Sequence, residues 1–180
     1  MRTIFKLIIL VSVFLSFQTS LLATVQFSDI TVSNLTSSSA TISFFSDNSV
    51  SANIEYGTDN TALTPASPST NAKFHSFQLT NLASTTLYYF EITSGGVSYQ
   101  DNGEFYSFQT AQVAIGTPYI AYGTVVDIGT SAITGAYVKL VAQQNGIPSS
   151  PLSAVTDSNG KWNLNLGNLK LADTGGVMNY

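Results

Sequence analysis

Few residues in this sequence are able to carry acid–base or metal chemistry. His75 is the only histidine, and cysteine is absent. A metal ligand or a general base needs His, Cys, Asp or Glu partners, whereas the neighbours of His75 at a spacing of two are Phe77 and Leu79. That alternation is typical of a β-strand. We therefore expect His75 to have a structural role.

The stretch Asp157-Ser158-Asn159-Gly160 contains oxygen ligands of the kind found in calcium loops. A calcium loop also needs ligands at further set positions and usually an acid beyond them, but Lys161 and Trp162 follow here. Asp, Asn and Gly also supply the local hydrogen bonds and positive φ angles of tight turns. We expect a hairpin turn at this position.

Other catalytic signatures are absent from the sequence. No serine lies in a Gly-x-Ser-x-Gly motif, and no glycine loop is followed by Lys-Ser or Lys-Thr. We expect a protein that is not an enzyme, with no catalytic, cofactor-binding or metal-binding residues and no cofactor. Tyr89, Tyr99 and Tyr106 would be able to stack on sugar rings if they pointed outward, although aromatic residues of a β-sandwich usually fill the core. Asn34-Leu35-Thr36 matches the N-glycosylation pattern, a frequent chance match.

The composition favours a β-protein that is stabilised by its core alone. Aromatic residues make up 12% of the chain, mostly Phe and Tyr, which suit half-buried pleated surfaces. Without cysteine, neither disulfides nor thiolate metal sites are available. The net charge of −4 argues against a nucleic-acid partner, because phosphate binding needs clustered Lys and Arg.

Residues 1–23 have the pattern of a secretory signal peptide. Arg2 and Lys6 give a positive start, an apolar run covers 7–15, and Ala23 is a candidate cleavage site. The alternative is a retained anchor, although the apolar run is short for a span of ~20 residues. After cleavage, four lysines remain against ten acids, a net charge of −6. We expect a secreted protein, extracellular or at the cell surface.

From residue 24 onward, apolar residues recur at every second position, which predicts β-strands. The expected strands in the first half of the chain are 27–32, 40–44, 50–56, 75–79, 88–92, 97–99 and 105–110. Asp47-Asn48-Ser49 is predicted to form a turn. Pro65 and Pro68 lie in a polar stretch and resist a central strand, so we expect an edge strand or a surface excursion there.

The stretch 82–92 resembles the E–F corner of the fibronectin type III family. The pattern is a Leu, a Thr, a Tyr, an aromatic and an aliphatic residue at fixed spacing, namely Leu82, Thr86, Tyr88, Phe90 and Ile92. Tyr56-Gly57-Thr58 is similar to the Tyr-Gly-Thr motif of bacterial members, including those that precede purple acid phosphatases, but the phosphatase metal ligands are missing. The resemblance covers about 25–111. It implies a β-sandwich in which Tyr88 buries its ring and bonds its hydroxyl to the backbone.

After the expected linker 112–118 a second β-pattern begins. It resembles carboxypeptidase-regulatory-like modules of the transthyretin-like class, which carry a Gly-x-Val strand, a Gly-Ala-x-Val strand and a Thr-Asp-x-x-Gly-x-aromatic hairpin. The matching residues here are 123–125, 135–138 and 156–162. The module would cover 119–180, which is too short for all seven strands of such a sandwich.

The sequence therefore predicts an all-β protein with two tandem immunoglobulin-like β-sandwich modules, 24–111 and 119–180, after the signal peptide. The resemblances imply a structural or adhesion role, with other protein subunits, cell-envelope components or polysaccharide as partners. The alternative is a non-catalytic N-terminal accessory region of a larger secreted hydrolase, carbohydrate-active or phosphatase-like. A second module with too few strands leaves an open sheet edge, and a strand from a neighbouring subunit would complete it as a homo-oligomer. A truncated chain is the alternative explanation of that short module.

Overall fold

The computed structural model describes residues 24–112, 116–172 and 175–178. The predicted signal peptide, 1–23, lies outside the described residues. Within them the regular structure consists of fourteen β-strands and one short 3-10 turn, so the prediction of an all-β protein is confirmed. Across the same ranges, no helix is long and apolar enough to cross a membrane.

The first half of the chain forms two antiparallel sheets. Its strands are β1 (Phe27–Ser33), β2 (Ser39–Val50), β3 (Asn53–Gly57), β4 (Thr64–Pro65), β5 (Ala72–Thr80), β6 (Leu87–Ser94), β7 (Val97–Tyr99) and β8 (Tyr106–Gln109). One sheet has three strands in the order β1-β2-β5. The other has five, in the order β4-β3-β6-β7, with β8 also paired to β6. The short strand β4 lies at a sheet edge, which confirms the expected edge position of Pro65.

A hydrophobic core fills the space between these two sheets. It forms because residues at every second position of each strand point inward. The buried set is Ala40, Ile42, Phe44, Ala52, Ile54, Phe77, Leu79, Leu82, Tyr88, Phe90, Ile92 and Phe108. Residues from both sheets contribute, so the sheets pack face to face as a β-sandwich.

The corner before β6 has the geometry expected from the sequence. Tyr88 is 8% exposed, and its hydroxyl accepts a hydrogen bond from the N–H of Ala83 at 2.9 Å. The hydroxyl of Thr110 donates to the carbonyl of Ala83 at 2.6 Å, which ties the same corner to the end of β8. The prediction of a buried tyrosine that bonds back to the backbone is confirmed.

The predicted turn at 47–49 is wrong. These residues belong to β2, which continues to Val50 and pairs that residue with Ala72. The register shifts between Phe45 and Val50, so a bulge absorbs the turn-forming residues. Within the bulge, the hydroxyl of Ser46 donates to the carbonyl of Asn48 at 2.7 Å. Val50 therefore ends β2 instead of starting the next strand.

The second half of the chain forms three short antiparallel pairs. Its elements are β9 (Ile120–Thr124), β10 (Tyr137–Leu140), β11 (Gln143–Gln144), β12 (Ile147–Pro148), β13 (Leu152–Val155), β14 (Lys161–Asn165) and the 3-10 turn η1 (Leu166–Asn168). The pairs are β9 with β14, β10 with β13, and β11 with β12. A small core of Leu152, Leu164, Leu169 and Met178 lies between the first two pairs.

The hairpin β11–β12 was not predicted from the sequence. Asn145 and Gly146 have positive φ angles of 53° and 80°. Two consecutive residues of this kind form the tight turn that matches the twist of antiparallel strands. The Asn-Gly pair was thus a hairpin signal in the sequence.

Candidate interaction surface

His75 is a buried structural residue, as expected from its alternation. It is 1% exposed, and its ring stacks on Phe44 with 5.0 Å between centroids. Its Nδ1 lies 2.7 Å from the hydroxyl of Ser69 and its Nε2 lies 3.2 Å from that of Ser46. Burial lowers the pKa of His75 below its usual value, and a backbone hydrogen bond at Ala72 opposes this shift. The ring links the bulge of β2 to the segment that precedes β5.

The segment at 157–160 is a turn. The Asp157 carboxylate accepts hydrogen bonds from the N–H groups of Asn159 at 2.8 Å and Lys161 at 2.9 Å. These backbone hydrogen bonds lower the pKa of Asp157. Its carboxylate is thus used inside the turn, and a turn was expected at this position. The expected hairpin is wrong, because the turn joins β13 to β14, and these strands pair with β10 and β9 instead of with each other. In the described ranges, no group of three or more His, Cys, Asp or Glu residues is placed to hold a metal ion.

Two of the three candidate tyrosines belong to the core, as expected. Tyr99 contacts Phe27 edge to face at 4.8 Å, and Tyr106 stacks on Phe90 at 5.1 Å. Tyr89 differs, because it lies between the core residues Tyr88 and Phe90 and therefore faces away from the core. It is half-buried on the outer side of the five-stranded sheet.

Asn34, the first residue of the glycosylation pattern, binds the second half of the chain. Its Nδ2 donates to the carbonyl of Ser153 at 2.9 Å, and its Oδ1 accepts from the N–H of the same residue at 2.9 Å. The hydroxyls of Ser33 and Ser153 lie 2.7 Å apart. The N–H of Asn34 donates to the carbonyl of Pro151 at 3.0 Å. Asn34 therefore has a structural role, which accounts for the asparagine of the glycosylation pattern.

Aromatic residues extend this contact. The ring of Tyr137 packs on Phe74 at 4.9 Å and on Phe45 at 6.1 Å, and its hydroxyl accepts a hydrogen bond from Ser43 at 2.9 Å. These partners lie on the outer face of the sheet β1-β2-β5, opposite its core face. We call this contact the seam. It packs the sheet β10–β13 against the sheet β1-β2-β5, so that Ser33 and Ser43 are almost fully buried.

An apolar groove opens beside the small core of the second half. Its volume is about 400 Å³, and it lies between the end of β10, β11 and η1. The lining residues are Leu140, Val141, Ala142, Gln143, Gln144, Leu166, Leu169 and Met178. Leu169 and Met178 are also members of the core cluster, so the groove reaches the core itself.

Strand edges and apolar side chains are exposed in the same region. Among the described residues, β10 has a strand partner only on its β13 side, and β9 only on its β14 side. In the part of the chain that the structure describes, eight of the ten exposed large hydrophobic residues fall in this half. These are Tyr119, Ile120, Tyr122, Val126, Ile128, Ile133, Val141 and Val155.

Sequence reasoning did not single out this surface. Tyr122 is 81% exposed, yet only Tyr89, Tyr99 and Tyr106 were considered as outward tyrosines. The sequence did contain a signal, because the small residues Ala121 and Gly123 flank Tyr122 along β9. In the structure, the ring of Trp162 from β14 covers Gly123. This arrangement gives Tyr122 the outer face of its sheet.

No protein-family model matches the chain, and no curated protein matches it. Among solved structures, it is similar to the sensor domain of the anti-sigma factor RsgI4 in Pseudobacteroides cellulosolvens. A shorter form of that domain is 19% identical, with a TM-score of 0.40, and the match covers 48% of this chain and 93% of the domain. A longer form is 19% identical, with a TM-score of 0.44 and coverages of 52% and 96%. At these TM-scores the similarity supports no inference about function.

Proposed function

We propose that this protein is a non-enzymatic, secreted or cell-surface structural protein that self-associates through its second half. Two tandem β-sandwich modules, 24–111 and 119–180, would serve adhesion or cell-envelope assembly after removal of the 1–23 leader. The observation that carries the proposal is the apolar groove at the end of β10, a strand that pairs only with β13 among the described residues.

Strand addition is the mode of association that this geometry favours. An incoming strand would pair with the backbone of β10 and place every second side chain in the apolar groove. Backbone hydrogen bonds would supply affinity, and the groove would select apolar residues on one face of the strand. The occupant we propose is a strand from a second copy of this chain, which makes the product a dimer or a filament.

The experiment is light scattering across a concentration series, with two matched variants. Val141→Glu puts a charge at the rim of the groove, and Val97→Glu puts the same charge on an exposed valine of the first half. The two valines are 48% and 52% exposed, so neither change is expected to unfold its region.

We expect dimers or larger species for the original protein and for Val97→Glu, and monomers for Val141→Glu. A monomer at every concentration, with both halves resistant to protease, would exclude self-association.

The seam favours a second candidate function, that of a rigid accessory region of a larger secreted hydrolase. The contacts of Asn34 and Tyr137 hold the two halves side by side, as a spacer that positions another domain would require. Protein that stays monomeric at every concentration, with both halves resistant to protease, would support this candidate. The groove would then be completed by a further part of a longer polypeptide.

A further inference from the structure

The solvent-facing side of the five-stranded sheet carries polar side chains in adjacent rows. Residues of β3 and β6 that alternate with the core face outward, and the strand register sets them in pairs. The pairs are Asn53 with Thr93, Glu55 with Glu91, and Gly57 with Tyr89. This face is independent of the apolar groove and of the seam.

A polar groove of about 340 Å³ lies at one end of this face. Its lining includes Asn53, Glu55 and Thr93, with Pro68 and Ser98 among its other members. Pro68 precedes Ser69, whose N–H donates to the carbonyl of Ala52 at 2.8 Å. That bond fixes the segment beside β3. The volume falls at the lower end of the ~300–1,000 Å³ range of small-molecule sites.

Two carboxylates stand side by side on this face. Glu91 is only 9% exposed, and its two carboxylate oxygens accept hydrogen bonds from the Ser98 hydroxyl at 2.9 Å and the Gln100 amide at 2.7 Å. Glu55 is its direct partner in the register. Like charges directly opposite each other destabilise a sheet. Among the described residues that line the groove, Glu55 alone is charged, so the groove offers a hydrogen-bond acceptor and repels anions.

The side-chain amide of Asn53, near Glu55 on the same face, has an oxygen without a hydrogen-bond partner among the described residues. This oxygen, Oδ1, is buried. Native proteins satisfy nearly all buried polar groups, so an exception calls for an explanation. Rotation of the Asn53 amide towards a hydrogen-bond donor in the groove would satisfy this oxygen.

We propose that the polar groove binds a neutral oligosaccharide. Sugar hydroxyls donate to carboxylate and amide oxygens and accept from hydroxyls. Glu55 and Thr93 present such groups to the groove, and Asn53 would present its amide oxygen after the rotation described above. Further along the same face, Tyr89 stands opposite Gly57, and the carbonyl of Ala62 and the side chain of Leu63 cover that glycine. The proposed sugar contacts are therefore confined to the polar groove.

The experiment is an NMR titration of the protein with five tetrasaccharides: cellotetraose, laminaritetraose, xylotetraose, mannotetraose and chitotetraose. We expect at least one of them to shift the backbone amide signals of Asn53, Thr93 and Ser98 in a saturable manner. If none of the five shifts these signals at millimolar concentration, or if the shifts lie only in 119–165, the proposal is overturned. A calcium titration is run in parallel, and shifts of these signals by calcium alone would also overturn it.

Two variants separate lost binding from lost folding. Glu55→Gln removes the charge opposite Glu91, so we expect stability to be kept or raised while affinity for the sugar falls about tenfold. Glu104→Gln makes the same chemical change at an exposed turn, and we expect it to leave affinity unchanged. Equal affinity of Glu55→Gln and the original protein would contradict the assignment of Glu55.

Discussion

The two halves of the molecule differ in how completely they enclose their cores. The first half buries twelve hydrophobic residues between a three-stranded and a five-stranded sheet. The second half buries four of its described hydrophobic residues between two strand pairs, and a groove of about 400 Å³ reaches that core. A small core gives little stability by itself, so the second half depends on what packs against it. The seam supplies one such contact, and the proposed strand addition supplies another.

The largest expected loss of stability comes from a substitution in the core of the first half. Phe90 is 1% exposed and packs against Tyr106 and Phe108. Phe90→Ala should lower the free energy of unfolding by about 3–5 kcal/mol, because it leaves a cavity between the sheets. Urea unfolding followed by tryptophan and tyrosine fluorescence measures the loss. A loss below about 1 kcal/mol would mean that the two sheets do not share a tightly packed core.

A matching substitution in the small core of the second half tests whether the two halves unfold separately. Leu164 is 4% exposed, and Leu164→Ala should cost about 2–5 kcal/mol. We expect this loss to unfold the second half while the first half stays folded, because the first core has no part in it. NMR spectra at increasing urea distinguish the two halves. Simultaneous loss of all signals would show that the halves unfold as one unit.

Loss of a hydrogen bond in the seam is expected to have the next largest effect on stability. Asn34→Ala leaves the N–H and the carbonyl of Ser153 without their side-chain partner, which should cost about 1–3 kcal/mol. We expect the second half to unfold at lower urea, with little change in the first. Asn60→Ala, at an exposed loop position, is the matched control and should leave both transitions unchanged. An equal effect of the two variants would argue against the seam.

The smallest effect is a pH dependence confined to the first half. Burial lowers the pKa of His75 in the folded protein, so the unfolded chain takes up the proton first as the pH falls. The contribution to stability is complete above the unfolded pKa of about 6.5 and is lost as the pH falls towards the lowered folded value. Urea midpoints between pH 7.5 and 5.5 should fall for the original protein. His75→Gln should make the urea midpoint depend less on pH. An unchanged dependence would show that other groups cause it.

Local pattern predicted much of the first half because burial alternates there along complete strands. The burial of Tyr88 and its hydrogen bond were implied by the resemblance of the corner before β6 to a known family. The prediction of a turn at 47–49 was wrong because the Ser46 hydroxyl donates to the carbonyl of Asn48 inside the bulge. Residue types alone do not reveal this hydrogen bond. The contacts of Asn34 with Ser153 join residues 119 positions apart, and no local signal specifies such a pairing. The apolar groove is equally a product of how strands pack, so its lining was not predicted.

Hydrogen exchange of the β10 amides at low and high protein concentration tests the central claim most directly. The claim is that a strand from a second copy pairs with β10 and fills the apolar groove. It predicts that the amides of 137–142 become more protected as concentration rises, while protection of β6 stays constant. Val141→Glu should abolish the concentration dependence. Protection of 137–142 that is the same at all concentrations would contradict strand addition at this edge.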